Sequence, residues 1–469
     1  MILLLVSTLA KIGFVLALLL GIAPLLVWAE RRQSSMIQDR VGPVRAGLPL
    51  PAPLAEFIRG PAAWGAKAVS FASFGFAALA LIGGLYFLAT YGSRPVTESG
   101  MSANTYFWMA FVAFLVGAVH YPLSWVVKHS VDKRNMLTVF GFLHPAADSL
   151  KMFFKEDFVP PNADKFLFHI APIIGLIPAL ATYAVIPFGP DLYWGPDGDP
   201  LLHLFSVVSP EVIEQGAIYG TTIPLQVANL NVGILYIFAI AGTGIVGAAI
   251  AGYSSDNKYS LLGGLRAASQ MVSYEVTLGL TLVGCFMVYG TLLLDGMVQW
   301  QVDNLWGVFV QPLGFILFFV AAIAEMKRVP FDAPEGESEI VAGYFLEYSG
   351  FKFGMFMTGE FLEHIVSGSL IAVLFFGGYD VPFLYSDGFH LADYVGFDIQ
   401  LPHVVVVLIG VGSFLLKTFL FVFLFLQVRW TLPRFRYDQI MQLCWKIILP
   451  LSLANILVTG VVILMIQGG

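Results

Sequence analysis

The chain has 469 residues, of which 58% are hydrophobic and only 12% are charged. A soluble globular domain carries roughly 25% charged residues, so we expect this chain to lie in a lipid bilayer rather than in water. Its net charge of −7 leaves no polybasic surface, which argues against a nucleic-acid partner. The two cysteines, Cys285 and Cys444, lie far apart in apolar runs, which excludes a four-cysteine iron–sulfur site or a CxxC zinc site on this chain alone.

Ten apolar runs are long enough to cross about 30 Å of hydrocarbon. They lie at 3–29, 68–90, 106–127, 165–188, 229–251, 270–293, 308–325, 356–377, 403–427 and 441–466. The first run has no basic stretch before it and is too long for a signal-peptide core, so we expect it to be retained. The pattern predicts an all-α polytopic protein of about ten transmembrane helices that forms a single membrane domain, 1–469.

The distribution of Lys and Arg predicts the orientation of these spans. Twenty of the 24 basic residues fall in the loops after spans 1, 3, 5, 7 and 9, whereas the alternate loops contain only Arg94. Cytoplasmic loops carry an excess of Lys and Arg. We therefore expect both termini on the outer side of the bacterial cytoplasmic (inner) membrane, and the distinctive motifs at the cytoplasmic face.

Two arginine-containing motifs follow the first predicted span. They read ERR (30–32) and QDRVGP (38–43), and they contain Arg31 and Arg40. Basic residues at the cytoplasmic end of a span are also explained by membrane anchoring alone. The sequence leaves both interpretations open.

Residues 143–156 (LHPAADSLKMFFKE) have the pattern of an amphipathic helix. One helical face carries apolar side chains and another carries charged ones: Leu143, Ala147, Leu150 and Phe154 against Asp148, Lys151 and Lys155. The segment is too short and too charged to cross a membrane, so we predict that it lies in the interface. A surface anchor would have the same pattern.

A carboxylate lies inside a predicted span. Glu275 follows Tyr274 about one turn after the predicted start of the span at 270. A carboxylate at that depth is unfavourable unless it has a partner or is neutral, so we expect a functional role. The alternative is a salt bridge to Arg266.

The densest group of charges is AEMKRVPFDAPEGESEIVAGYFLEY (324–348). Its six acids are Glu325, Asp332, Glu335, Glu337, Glu339 and Glu347. Two prolines are expected to end the preceding helix here, so the segment turns instead of spanning. A solvated charge run is the ordinary explanation. However, these acids interrupt the basic bias of the inside loops, alternate with apolar residues, and lead into Glu360 and Glu363. Clustered carboxylates in a poorly hydrated place share protons, which is the chemistry of a proton relay.

Two further motifs have simple structural explanations. Residues 429–439 (RWTLPRFRYDQ) alternate arginine with aromatic residues, as segments that contact lipid headgroups do. The GTGIVG motif (242–247) matches a dinucleotide fingerprint but lies inside a membrane span with no strand before it. We expect its small residues to let neighbouring helices approach closely.

Taken in order, five segments resemble the quinone-chamber membrane subunit of respiratory complex I (NADH-quinone oxidoreductase), the counterpart of the first mitochondrially encoded NADH dehydrogenase chain. They are ERR…QDRVGP (30–43), HPAADSLKMFFKE (144–156), SSDNKYSLLGGLRAASQMVSYEV (254–276), AEMKRVPFDAPEGESEIVAGYFLEYSG (324–350) and VRWTLPRFRYDQIMQLCWKIILP (428–450). With their helices they cover roughly four-fifths of the chain. Five matches in order are far more specific than any one of them.

The resemblance implies a body of eight membrane helices with two roles. The inside loops and a peripheral subunit would form a chamber for quinone, while a line of carboxylates would couple quinone chemistry to antiporter-like pump subunits. Chamber positions carried over from the family are Arg31, Arg40, Asp148, Asp332, Arg434 and Arg436. Proton-path positions are Glu275, Glu325, Glu335, Glu337, Glu339 and Glu360. The expected partners are the other complex I subunits, quinone and the lipid bilayer. We expect no catalytic residue, metal or redox cofactor on this chain, with flavin and iron–sulfur clusters on partner subunits.

The sequence also departs from the family. His144 stands where the family has glutamine, and Asn229 stands where many bacterial relatives carry an acid. The largest departure is an insertion at 48–142 that contains two whole spans, which we predict to form a hairpin on the flank of the eight-helix body.

Two other functions remain open. The equivalent subunit of a membrane-bound energy-converting hydrogenase would share several of these motifs. A haem-b quinol oxidoreductase subunit is suggested by histidines near span ends: His120, His169, His364 and His403. Bis-histidine haem requires ligands that face each other inside the membrane, and the sequence does not establish such a pair.

Overall fold

The computed structural model describes residues 2–43, 46–91, 103–131, 135–194, 221–390 and 399–467. In chain order its α-helices are α1 (Ile2–Ile37), α2 (Ala52–Phe57), α3 (Ala63–Tyr91), α4 (Ala103–His129), α5 (Leu143–Phe154), α6 (Lys165–Thr182), α7 (Gly233–Ser254), α8 (Lys258–Tyr289), α9 (Leu294–Asp303), α10 (Gly307–Val310), α11 (Pro312–Glu325), α12 (Glu337–Ile340), α13 (Gly350–Phe375), α14 (His403–Thr431), α15 (Tyr437–Gln442) and α16 (Leu449–Gln467). Short π-helical segments join α2 to α3 and α15 to α16.

Among the described residues, three small antiparallel sheets lie in the connections. β1 (Leu48–Pro49) pairs with β2 (Met136–Leu137), and β3 (Gly189–Trp194) pairs with β4 (Thr221–Leu225). β5 (Leu384–Tyr385), β6 (Gly388–Phe389) and β7 (Ile399–Gln400) form a third sheet in that order. These strands are far too short to cross a bilayer, so the helices determine the fold.

Within the described residues, eight helical segments are long and apolar enough to cross a membrane. The predicted all-α polytopic membrane fold is confirmed. Of the ten predicted spans, the two that do not meet this criterion are 106–127 and 308–325. A helix of 27 residues, α4, occupies the first of these positions.

The predicted span at 308–325 is wrong in its extent. Gln311 interrupts the helix between α10 and α11, and α11 has only 14 residues, or about 21 Å. Gln311 Nε2 donates to Thr459 Oγ1 at 2.9 Å, and Asn455 Nδ2 donates to Gln311 Oε1 at 3.1 Å. These bonds satisfy the polar side chain at a break that apolar patterning does not reveal.

The helix that contains the predicted span at 270–293 begins before the apolar run. α8 begins at Lys258, where Asn257 caps it by accepting a hydrogen bond from the Tyr259 amide at 2.9 Å. The first turns of this helix are too polar to register as a span. Glu275 therefore lies 17 residues, or about 25 Å, into a continuous helix.

The chain divides into two compact units, Met1–Leu26 with Ser149–Gly469, and Val27–Asp148. The second unit contains the paired helices α3 and α4, where buried Ser70 donates to the Gly117 carbonyl at 3.0 Å. Both predicted spans of the insertion at 48–142 are therefore helical. Their position beside the eight-helix body stays a prediction, and Arg94 lies outside the described residues.

The larger unit contains close helix contacts at glycines. A Cβ on Gly247 of α7 would lie 2.7 Å from the Gly175 backbone nitrogen of α6, and a Cβ on Gly252 would lie 2.6 Å from the Ser260 carbonyl oxygen of α8. No side chain fits at such distances. The expectation that small residues of the GTGIVG motif allow close packing is confirmed at Gly247.

Candidate functional site

The acidic segment (324–348) forms a turn, called the acidic turn below, that packs against α8. α11 ends at Glu325, and Gln270 of α8 donates from Nε2 to the carbonyls of Ala324 and Phe331, each at 2.8 Å. Gly343 has a φ of +62°, and a Cβ there would overlap the Pro334 carbonyl. The predicted break in the helix is confirmed. The Gln270 side chain and the close packing at Gly343 hold the backbone of the turn in place.

Three carboxylates line one cavity among the helices of the larger unit. Glu275 comes from α8, Glu325 from α11 and Glu363 from α13, and the cavity has a volume of about 80 Å³. That space holds roughly two or three water molecules. A Cβ on Gly242 would lie only 2.8 Å from Glu275 Oε1, so this glycine leaves room for the carboxylate.

Two buried cations connect this cavity to the acidic turn. Lys327 Nζ lies 3.1 Å from Glu363 Oε1, and Arg328 Nη2 lies 2.9 Å from Glu360 Oε2. Burial by itself lowers the pKa of Lys327, but Glu363 and Glu360 outweigh it and raise that pKa above its ordinary value. Tyr344 donates its hydroxyl to Glu360 Oε1 at 3.2 Å. Acids and cations thus alternate from the turn into α13.

Two acids of the turn, Glu335 and Asp332, have strongly raised pKa values. Burial raises the pKa of Glu335 well above its ordinary value, and the negative charge of Glu360 adds to this effect. Burial also raises the pKa of Asp332 to about 6, although Arg434 opposes the change. Both shifts favour the protonated carboxyl. The expectation that crowded acids in this segment hold protons is consistent with these directions.

Glu339 differs from its expected position on a buried path. Its side chain is exposed, and it accepts a hydrogen bond from Arg266 Nη1 at 2.6 Å. Arg266 is therefore engaged by Glu339, and the alternative salt bridge between Arg266 and Glu275 is wrong. The side chain of Glu337 lies outside the described part of the structure.

Two of the predicted chamber residues form an ion pair in the larger unit. Arg434 Nη2 lies 2.5 Å from Asp332 Oδ2, and the rings of Phe331 and Phe435 stack beside them with centroids 5.6 Å apart. The Phe435 amide donates to the Pro330 carbonyl at 3.0 Å. The segment around Arg434 is thereby fixed to the acidic turn. Arg436, in contrast, is 73% exposed at its side chain.

The other three chamber candidates lie in the second unit. Arg31 forms an ion pair with Asp148, and exposed Arg40 donates to Gln38. His144, the departure from the family, contacts the Ala46 amide through Nε2 and the Gly141 carbonyl through Nδ1. The candidates thus form one ion pair in each unit. That all six line a single cavity stays a prediction.

Sequence reasoning did not assign Glu363, Lys327, Arg328 or Tyr344 to the path. Glu363 follows Glu360 by three residues, which places both on one side of α13. That spacing was visible in the sequence. The partners of the two cations depend on how α11, the turn and α13 pack, which no local pattern shows.

A second group of ionisable side chains lies beyond the last residues of α8. Tyr379 donates its hydroxyl to Asp295 Oδ1 at 2.8 Å, and Gln299 donates to Tyr379 at 2.9 Å. Burial raises the pKa of nearby Asp191 to about 6, with Asp295 adding to the effect and Lys11 opposing it. Sequence reasoning assigned none of these residues to a site.

Comparison with known proteins agrees with this geometry. A family model described as NADH dehydrogenase matches residues 134–460. The chain belongs to this family. The matched range contains the acidic turn and the three carboxylates of the cavity, whereas most of the inserted segment precedes it.

Several family members named as H subunits of NADH-quinone oxidoreductase are closely similar. One from Geobacter sulfurreducens is 42% identical over 80% of this chain and 97% of the relative, and one from Cytophaga hutchinsonii is 41% identical over 71% and 86%. The relative of the same name from Thermomicrobium roseum is 42% identical over 72% of this chain and 87% of its own length. The resemblance inferred from the five motifs is confirmed.

Proposed function

We propose that the chain is the membrane subunit of a proton-translocating NADH:quinone oxidoreductase. In this function it forms the quinone chamber with a peripheral subunit and passes the effect of quinone reduction into the membrane through its carboxylates. Flavin and iron–sulfur clusters belong to partner subunits, and antiporter-like membrane subunits are further partners. The names of the family members support this assignment.

The observation that carries the proposal is the cavity shared by Glu275, Glu325 and Glu363. Buried carboxylates are unfavourable in a membrane unless they are partnered, hydrated or protonated, and a water-sized space among three of them meets the needs of proton transfer. Through Lys327 and Arg328 the same group reaches Glu360 and the acidic turn. A purely structural role would not require an apolar helix bundle to enclose three acids.

The chamber end of the path is supported by the Arg434–Asp332 pair. A quinone headgroup needs hydrogen-bond donors at its carbonyls, and its reduction takes up two protons. Arg434 retains 30% exposure at its side chain, so it is accessible as a donor, while Asp332, with its pKa raised to about 6, is able to exchange a proton near neutral pH. In this proposal the reduction of a quinone at Arg434 changes the charge of the turn, and the protonation of Glu335 and Glu360 changes in response.

Neutral amide variants of the cavity acids test the proposal. Glu275→Gln and Glu325→Gln keep size and hydrogen bonding but remove the titrating group, so we expect each to lose quinone reductase activity and proton pumping together. The matched control is Glu156→Gln, which neutralises an exposed carboxylate outside the path. The measurements are NADH:quinone activity and pumping in membrane vesicles, with electron transfer from NADH to an artificial acceptor as the measure of assembly.

The outcome that contradicts the proposal is full pumping in both cavity variants with an assembled complex. Loss of artificial-acceptor activity would instead show failed assembly. In that case Glu275→Asp and Glu325→Asp, which retain a titrating group in the same cavity, decide between a proton path and a structural role by whether pumping returns with assembly.

The orientation is part of the same proposal. We infer an inner-membrane protein whose termini face outward, because twenty of its 24 Lys and Arg residues lie in alternate loops. Cysteines introduced at exposed Glu156 and Asn304 should react with an impermeant thiol reagent from opposite sides of the membrane. Reaction of both from one side would refute this topology.

The hydrogenase alternative shares the membrane path but not the electron donor and acceptor. The names of the similar proteins favour the quinone oxidoreductase. The histidines of the haem alternative have protein contacts: His364 contacts the Glu360 carbonyl of its own helix through Nδ1 at 2.7 Å, and His403 accepts from the Tyr193 amide at 3.2 Å. An absorption spectrum of the purified protein separates haem from the other two.

A further inference from the structure

The inserted hairpin contains a cleft outside the family match. It lies between the start of α3 and the end of α4 and has a volume of about 710 Å³. Its ten lining residues are Arg59, Gly60, Ala63, Trp64, Lys67, Tyr121, Pro122, Ser124, Lys128 and His129. All belong to the unit Val27–Asp148, so the hairpin alone builds the cleft.

The lining of the cleft is cationic. Arg59, Lys67 and Lys128 contribute three positive charges, His129 adds a fourth when protonated, and none of the lining residues is acidic. Arg59 is held in place by a 2.8 Å hydrogen bond from Nη2 to Asn135 Oδ1. Lys67 and Lys128 have exposed side chains. Like charges converging on one cleft repel one another, and an anion between them relieves that repulsion.

The surroundings of the cleft are apolar and aromatic. Beyond it, α3 exposes Phe71, Phe76 and Leu79, the last at 70%. Trp64 is 74% exposed, and Tyr121 is 53% exposed. Trp and Tyr concentrate where a bilayer meets water, and apolar faces on membrane helices contact acyl chains. These residues suit a cleft that would open at the level of lipid headgroups and continue onto a surface for lipid tails.

We propose that this cleft binds the phosphate group of an anionic membrane lipid. The arginine and lysines would contact the phosphate oxygens. The acyl chains would lie along the exposed apolar face of α3. Basic pockets between membrane helices at the cytoplasmic side recognise anionic headgroups by this combination of charges and apolar surface.

A soluble phosphate compound has the same anionic group, but it does not use the apolar face. Phe71, Phe76 and Leu79 would remain exposed beside it, and the bilayer holds the lipid phosphate at the depth of the cleft at high local concentration. These features favour the lipid as the source of the phosphate. Free phosphate is the competing outcome in the experiment below.

The intact membrane complex, reconstituted in lipid nanodiscs, tests the proposal. Photoactivatable phosphatidylglycerol and phosphatidylcholine, each with the reactive group next to the phosphate, are cross-linked in parallel and the labelled peptides are identified by mass spectrometry. We expect the phosphatidylglycerol probe to label the peptides containing residues 59–67 and 121–129 several-fold more than the phosphatidylcholine probe. Excess glycerol 3-phosphate should not reduce this labelling.

Three double variants identify the cause. Each cation near a membrane surface contributes about fivefold to the binding of an anionic lipid, so Lys67→Gln with Lys128→Gln should reduce cleft labelling about 25-fold at low ionic strength. Lys151→Gln with Lys155→Gln removes the same charge at exposed positions outside the cleft and should leave cleft labelling unchanged. Lys67→Arg with Lys128→Arg should retain labelling, which excludes misfolding as the explanation.

Equal labelling by the two lipid probes would overturn the proposal, as would full labelling of the Lys67→Gln and Lys128→Gln variant. Competition by glycerol 3-phosphate would overturn the lipid source and assign the cleft to a soluble phosphate compound. Reduced labelling in the Lys151→Gln and Lys155→Gln control would show general surface electrostatics, which also overturns a specific site.

Discussion

Three glycines of α7 are predicted to respond differently to the same substitution by alanine. A Cβ on Gly247 meets the Gly175 backbone at 2.7 Å, and a Cβ on Gly242 meets the Glu275 carboxylate at 2.8 Å. A Cβ on Gly244 meets nothing within 4 Å. The three positions share one helix and one chemical change, so any difference between them comes from the neighbour that the methyl group meets.

The magnitudes follow from the rigidity of each neighbour. Alanine stabilises a helix interior by about 0.5–1 kcal/mol relative to glycine, and Gly244→Ala should show this gain. At Gly247 the methyl group must separate two backbones, which costs about 1–3 kcal/mol and, once the helix gain is subtracted, leaves a net loss of up to about 2.5 kcal/mol. At Gly242 the end of a flexible side chain moves instead, so we expect little change in stability but a displaced Glu275 carboxylate.

Two measurements separate these outcomes. The thermal midpoint of the purified complex should fall for Gly247→Ala and stay level or rise for the other two variants. Proton pumping per NADH oxidised should fall several-fold for Gly242→Ala and stay normal for Gly247→Ala, because only the first displaces the Glu275 carboxylate from the cavity. Artificial-acceptor activity confirms that each variant is assembled.

The reasoning would be refuted if Gly242→Ala pumped normally at normal stability. That result would mean that the position of Glu275 in the cavity has no functional consequence. Equal thermal midpoints for Gly244→Ala and Gly247→Ala would separately refute the role of Gly247 in the close approach of α6 and α7.

Three further predictions follow from the ionic contacts. Lys327→Met should destabilise the complex by about 3–5 kcal/mol, because it leaves the Glu363 carboxylate buried without its cation. Adding Glu363→Leu should recover most of this loss. A double variant that is as unstable as the single one would contradict this explanation. Arg434→Gln removes the cation that opposes the raised pKa of Asp332, so this pKa should rise beyond about 6. The KM for short-chain quinone should also increase, while electron transfer to artificial acceptors persists. An unchanged KM would count against the chamber role. The folded-state pKa of Asp191 is raised from 3.8 to about 6. The free energy of unfolding should therefore be highest below pH 4 and should fall by on the order of 2 kcal/mol, after allowance for partial exposure, as the pH rises through 6. Thermal midpoints of the Asp191→Asn variant, measured across this pH range, should lack this dependence.

Hydropathy and charge were sufficient to predict the class of fold. Apolar runs identify membrane helices because lipid requires every backbone polar group to be hydrogen-bonded within the segment. Helices lie at each predicted position. Apolar patterning failed where side chains satisfy polar groups locally. Gln311 breaks a predicted span with the help of Asn455 and Thr459, and α8 extends twelve residues before the predicted start, from 270 back to 258.

The candidate site was predicted in composition but not in connectivity. Proline positions correctly indicated the turn, and the density of acids correctly indicated perturbed ionisation. The sequence did not show that Glu339 points outward to Arg266 while Glu363 faces the cavity. Those orientations depend on the rotation of α13 and the path of the turn, which are set by packing between residues far apart in sequence.

Gln270 has a consequence for the energetics of proton movement. Its amide holds the carbonyls on both sides of the turn that carries Lys327 and Arg328, so the backbone beneath these cations is anchored to the same helix that carries Glu275. Charges fixed in this way do not have to reorient when a proton leaves or enters a neighbouring carboxyl. In the proposed proton path, the reorganisation energy of each transfer would therefore be kept small by a neutral side chain that does not itself exchange a proton.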